Sequence, residues 1–162
     1  MKPVPPYRRI LIICHANTSR SVIAEGLLKQ MIEQRALSDH YTVESGGIAA
    51  YARDGALVSM DARLVLRDAG VPQPPKAVST DLKRNRHLIE SADLILAMTD
   101  AQVRMLREDF PEAAGKDVQT LKQFAGLAGN IEDPAGKGED VFAACRDEIQ
   151  MCLDRAIEKL TP

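Results

Sequence analysis

The stretch Leu11–Met31, LIICHANTSRSVIAEGLLKQM, passes from an apolar run to a helical pattern through a loop carrying a thiol, an amide, three hydroxyls and a guanidinium. The run Arg9–Cys14, RILIIC, is short and rich in isoleucine, the pattern of a strand buried on both faces. From Ser21 to Gln34, Ile23, Leu27, Leu28, Met31 and Ile32 recur at helical spacing. A strand handing over to a helix in this way is the first half of a parallel βαβ unit. Parallel sheets bind ligands outside the carboxyl ends of their strands. The loop after Cys14 therefore lies where the architecture puts a site, and a simple connector has no need of its chemistry.

The rest of the chain repeats the alternation. Tyr41–Ser45, Asp93–Met98 and Asp117–Leu121 read as three more strands. Helical patterns fill Val58–Ala69, stopped by Gly70, then Ala101–Phe110 and a long closing segment, Asp140–Leu160. Proline-rich Val71–Ala77 and glycine-rich Asp133–Asp140 read as loops. With 162 residues and no linker or repeat, the expectation is one α/β domain over 1–162, a parallel sheet with helices on both faces.

Composition removes several classes of function. A net charge of -2 without a clustered basic face argues against nucleic acid and a polybasic membrane contact. No apolar run approaches the roughly 20 residues of a membrane span. The start, MKPVPPYRR, has prolines where a signal peptide needs an apolar core, so a cytoplasmic location is expected. Three cysteines suit reduced thiols better than a disulfide framework.

Two readings of Cys14 compete. Cysteine is among the most buried residue types, and a strand end is a natural place for a small core residue. The alternative starts from the loop. A strand-loop-helix turn aims backbone N–H groups inward at the positive end of a helix, forming an anion site. A cysteine there is stabilised as the thiolate, the nucleophilic form. In the spacing Cys-x5-Arg, Arg20 supplies a planar fork that matches two oxygens of a tetrahedral oxyanion. Together they place a nucleophile against a bound phosphate-like group.

CHANTSRS resembles the phosphate loop of the low-molecular-weight protein tyrosine phosphatases, Cys-x-Gly-Asn-x-Cys-Arg-Ser-Pro. Cys14, Asn17, Arg20 and Ser21 match, whereas Ala16, Ser19 and Val22 depart. AEGLL, ESGGIAAY, SADLILAMTDAQVRML and IEDPAG resemble further segments of that family, in family order. The resemblance implies a four-stranded parallel sheet of order 2-1-3-4. It implies a cofactor-free and metal-free phosphatase acting on phosphotyrosine in a protein or small phosphomonoester, as a monomer or weak dimer. By it, Cys14 forms a phosphocysteine, and Arg20 with the loop residues His15, Ala16, Asn17, Thr18 and Ser19 holds the phosphoryl oxygens. Asp133 becomes the general acid, where the dipeptide Asp133-Pro134 alone reads as a turn start. Ser21 bonds the sulfur, Asn17 braces the loop with Ser45 as partner, and Tyr51 forms an aromatic wall beside the substrate.

The departures bear on substrate rather than chemistry. Ser19 replaces a cysteine that can shield the nucleophile by a disulfide. Ala135 and Gly136 stand where the family has aromatics. Thr18 is often isoleucine in the tyrosine phosphatases and threonine in the protein-arginine phosphatases of the same fold, which makes phosphoarginine the alternative substrate. Arsenate reduction, a further alternative, needs a resolving thiol; Cys145 and Cys152 share a face of the last helix but sit in its apolar stripe. An oxyanion-binding module with a dead site is opposed by Cys14, Arg20 and Asp133 together. The basic run Leu82–His87, LKRNRH, reads as a solvated face or a dock for acidic partners.

Overall fold

A computed structural model describes residues 7–161, so the proline-rich start up to residue 6 lies outside the described residues. Four strands, β1 (Arg9–Cys14), β2 (Thr42–Gly47), β3 (Leu94–Ala97) and β4 (Asp117–Thr120), form one sheet in the order β2-β1-β3-β4. Every pairing is parallel. Among the described residues six α-helices connect and cover them: α1 (Arg20–Gln34), α2 (Met60–Asp68), α3 (His87–Ser91), α4 (Asp100–Asp109), α5 (Leu121–Phe124) and α6 (Glu139–Leu160).

Side chains of β1 divide between two cores because successive residues point to opposite faces. Ile10, Ile12 and Cys14 join the larger core with α1, α2 and α6. Leu11 and Ile13 join a smaller one with Ile89 of α3 and Leu106 of α4. In β3, Leu94 and Leu96 face the first core, Ile95 and Ala97 the second. This is the expected fold, a four-stranded parallel sheet of order 2-1-3-4 covered on both faces. Cys145 and Cys152 are free thiols buried in the larger core.

The boundaries that moved have local causes. β2 runs past Ser45 to Gly47, because its pairing with β1 continues to Cys14↔Gly47. A Cβ on Gly47 would lie 2.7 Å from the His15 carbonyl oxygen and 2.8 Å from the Ala16 carbonyl carbon, so only glycine lets the strand pass under the loop. α2 starts at Met60 rather than Val58 because Ser59 caps it, its hydroxyl accepting from the Ala62 N–H at 3.1 Å. Leu121 belongs to α5 instead of the fourth strand, since Thr120 caps a new turn there. α3 was not expected; five residues with Ile89 as their one buried side chain are too short to show a helical period.

Gly47→Ala is expected to destabilise the fold by about 1–3 kcal/mol, the usual cost of forcing atoms into a packed space. Urea denaturation measures it, and amide shifts of residues 14–18 should move with it, as the contact is to that backbone.

Candidate active site

β1 ends at Cys14 and α1 begins at Arg20, so the five residues between must turn the chain back sharply. The turn is made by Asn17, one of two non-glycine residues with positive φ among the described residues, at 62°. Asparagine tolerates this conformation better than most residues. Its side chain then secures it: Nδ2 donates to Ser21 Oγ and to Ser45 Oγ, both at 2.8 Å. Its Oδ1 accepts the Thr80 N–H at 2.8 Å. Asn17 is itself 2% exposed, so these bonds are made away from water, where they hold best.

Cys14 Sγ sits inside the curve, 2.8 Å from Ser21 Oγ and 3.3 Å from the Asn17 N–H that donates to it. Ser19 precedes the helix without capping it through its side chain. The first-turn N–H groups of α1 therefore lack a side-chain acceptor there and present donors and a positive dipole end to the loop. Arg20 is 4% exposed. Its guanidinium donates to the Ile131 carbonyl at 2.8 Å and approaches His15 Nδ1 at 3.4 Å. Among the described residues no carboxylate pairs with it. A buried cation without a counter-ion is costly, and an oxyanion in the loop would supply the missing charge.

His15 is fixed from behind by Gln102, a fully buried glutamine of α4. Gln102 Oε1 accepts the Met98 N–H at 2.9 Å, which turns its Nε2 toward His15 Nδ1 at 3.1 Å. With a donor amide and a guanidinium both facing Nδ1, that nitrogen must accept, so the ring is neutral and carries its proton on Nε2. Burial lowers the His15 pKa below 6.5 and Arg20 lowers it further, while Asp133 opposes them.

Cys14, His15, Ala16, Thr18, Ser19 and Arg20 line a pocket of about 190 Å³ together with Tyr51, Asp133 and Ala135. Thr18 is half-buried, and its carbonyl accepts the Ser59 N–H at 3.0 Å. Asp133 is exposed and uses Oδ1 to accept the Ala135 N–H at 3.0 Å, so it starts a turn and lines the pocket at once. Tyr51 stands at the rim, 70% exposed. Ser45 and Ser21 lie beneath the loop, buried with Asn17. Cys145 feels both Arg20 and Asp133, yet burial pushes its thiol up to about 11, which keeps it protonated and unreactive.

A family model for the low molecular weight phosphotyrosine protein phosphatases matches residues 9–161. The chain belongs to that family. Among low molecular weight phosphatases it is 40% identical to a protein-arginine-phosphatase of Geobacillus stearothermophilus over 96% of this chain and 97% of the relative. It is 31% identical to a low molecular weight protein-tyrosine-phosphatase of Acinetobacter johnsonii, covering 91% and 94%. The YwlE arginine phosphatase, solved as a cysteine-to-serine mutant with a phosphorylated active-site serine, superposes with a TM-score of 0.83 at 31% identity, covering 94% and 95%.

Three contributors to this pocket carry little or no sequence signal of their own. Gln102 reads as one polar residue in an amphipathic helix, Ile131 acts through its carbonyl, and Thr80 through its N–H. Only Gln102 leaves a trace, as a polar residue in the first turn of α4, behind the loop. Its bond to Met98 is invisible before the chain folds.

The lowered His15 pKa has a consequence for stability. Well above pH 6.5 the imidazole is neutral in the folded and unfolded chain, and contributes no pH dependence. As pH falls through 6.5 the unfolded chain takes up the proton first, so stability is lost toward acid. His15→Gln removes that titration. Urea midpoints at pH 7.5 and 5.5 should therefore fall less in the variant than in the wild type.

Proposed function

We propose that this phosphatase removes phosphate from phosphorylated protein side chains through a phosphocysteine formed at Cys14. The observation that carries the reading is the thiol at the base of an anion cradle. Cys14 Sγ faces Ser21 Oγ and the Asn17 N–H, with the buried guanidinium of Arg20 and the α1 N-terminus beside it. The thiolate attacks phosphorus and the bond to the leaving group breaks. Asp133 gives that group its proton, and Arg20 with the loop N–H groups takes the charge on the three equatorial oxygens. Water then attacks the phosphocysteine and loses its proton to Asp133. Cys14 leaves as the thiolate, its sulfur held by the Ser21 hydroxyl, and phosphate departs.

Phosphoarginine is the substrate this reading favours. The 40% relative bears that activity in its name. The pocket also presents the hydroxyl-bearing Thr18 and the small Ala135 where an aryl ring would gain from apolar walls. Phosphotyrosine is the second reading, supported by Tyr51, an exposed ring at the rim on which a phenyl group could stack. In either case residues 1–162 act as one domain on phosphoproteins of the cytoplasm. Among the described residues no helix is long and apolar enough to cross a membrane.

A panel of phosphoarginine, phosphotyrosine and arsenate tests both levels. Phosphoarginine should be preferred over phosphotyrosine in kcat/KM by about 10-fold or more, the scale on which pocket contacts discriminate. Preference for phosphotyrosine would instead select the second reading. Cys14→Ser should lose turnover of every substrate and still bind phosphate, whereas Arg20→Ala should lose both. Sustained hydrolysis by Cys14→Ser would remove the covalent route.

Asp133→Ala should slow substrates with poor leaving groups by ~10²- to 10⁴-fold, the range for a positioned acid. A good leaving group such as p-nitrophenolate needs less protonation, and its loss should be smaller. Rates measured across phenols of graded acidity read this directly. Equal losses along the series would take the acid role from Asp133.

A further inference from the structure

The basic run Leu82–His87 faces water at Arg84 and His87, but its half-buried Lys83 turns inward as a tether. Lys83 Nζ reaches the carbonyls of Ala49 at 2.6 Å and Ala52 at 3.0 Å, and Asp81 Oδ1 at 2.9 Å. An ammonium has three donors, and all three are engaged. Asp81, whose side chain is 4% exposed, is held in turn by the Lys83 N–H at 2.9 Å.

The two carbonyls flank one tight turn, closed by the Ala52 N–H bonding the Ala49 carbonyl at 3.0 Å, and Tyr51 lies within it. Because Tyr51 is 70% exposed, packing does little to place its ring, and the backbone beneath it must do so. The segment that carries Lys83 also touches the nucleophile loop, where the Thr80 N–H donates to Asn17 Oδ1 at 2.8 Å. Ser79 Oγ meanwhile donates to the Arg53 carbonyl at 2.7 Å, just past the turn. One short stretch, Ser79–Lys83, thus holds the loop around Cys14 and the turn bearing Tyr51 in a single frame.

We infer that Lys83, anchored by Asp81, is a positioning residue for substrate specificity: it sets Tyr51 against the pocket so that the ring can meet the group bearing the phosphate. The inference rests on the reading of this pocket as the phosphatase site. Lys83 touches no reacting atom, so its loss should leave the chemistry and the phosphate cradle alone. What it should change is the recognition of everything attached to the phosphate.

The test compares wild type, Lys83→Met, Tyr51→Ala and the double variant, with p-nitrophenyl phosphate as substrate and inorganic phosphate as competitive inhibitor. Lys83→Met should raise KM by about 2- to 10-fold, the scale of a lost ring contact. Its kcat should stay within about 2-fold and the inhibition constant of phosphate should not move. The double variant should be no worse than Tyr51→Ala, since both changes remove one contact. Hydrogen exchange followed by mass spectrometry should show faster exchange across residues 49–56, with β1 and α1 unchanged. An unaltered KM, a parallel rise in the phosphate constant, additive losses or unchanged exchange at 49–56 would each overturn the inference. Were the wild type inert toward phosphate compounds, the functional reading would fall, and the exchange measurement would still decide whether Lys83 holds the turn.

Discussion

Asn17 accepts a left-handed backbone, and its carboxamide compensates by tying the start of α1 to two pieces of chain that are remote in sequence. It bonds the start of α1 at Ser21, the strand β2 at Ser45 and the segment after the Val71–Ala77 loop at Thr80, while its own N–H meets the Cys14 sulfur. An isolated polar group at such depth would cost on the order of 1–3 kcal/mol, so each partner is needed to satisfy the next. The curvature that lets helix-end donors converge on one anion depends on this side chain. Gly47 completes it from below by having no Cβ to obstruct the turn.

The electrostatics follow from that curvature. Arg20 is buried with a carbonyl and a neutral imidazole as its neighbours, so among the described residues no carboxylate pairs with its charge. Gln102 secures the neutrality of His15 by presenting a donor to Nδ1. The amide does not titrate, so the donor stays in place even where acid protonates the imidazole. The site is therefore organised for an anion before one arrives, the condition under which fixed dipoles and charges stabilise a transition state at least reorganisation.

Much of this was legible in the residues. The alternation of RILIIC with the helical stripe after Ser21, repeated three times, carries the parallel sheet, since both patterns follow from burial on two faces. CHANTSRS carries the loop because its residue types have few other uses in that order. What escaped is what works through the main chain or over long range. Ile131 offers a carbonyl, which any residue would. Gly47 falls just beyond the strand expected over Tyr41–Ser45 and proves to be the end of β2. Lys83 belongs to a run of charges that ordinarily faces water, and only the fold brings the Ala49 and Ala52 carbonyls to it. Length was the other limit, as with α3, whose five residues hold too few apolar positions for a period to emerge.

The bond from Arg20 to the Ile131 carbonyl spans 111 positions of sequence. A chain made from its amino end exposes Cys14 and Arg20 early and Ile131 near the close of synthesis. Until then the guanidinium has no fixed acceptor, and the Asp-Pro turn that follows Ile131 does not exist. The nascent protein thus carries its thiol for most of translation without the full set of neighbours that surround it in the folded pocket. The complete pocket arrives with the last fifth of the chain, when α6 docks and seals the larger core. A polypeptide truncated before Ile131 would retain the whole Cys-x5-Arg motif and lack the far wall of its pocket.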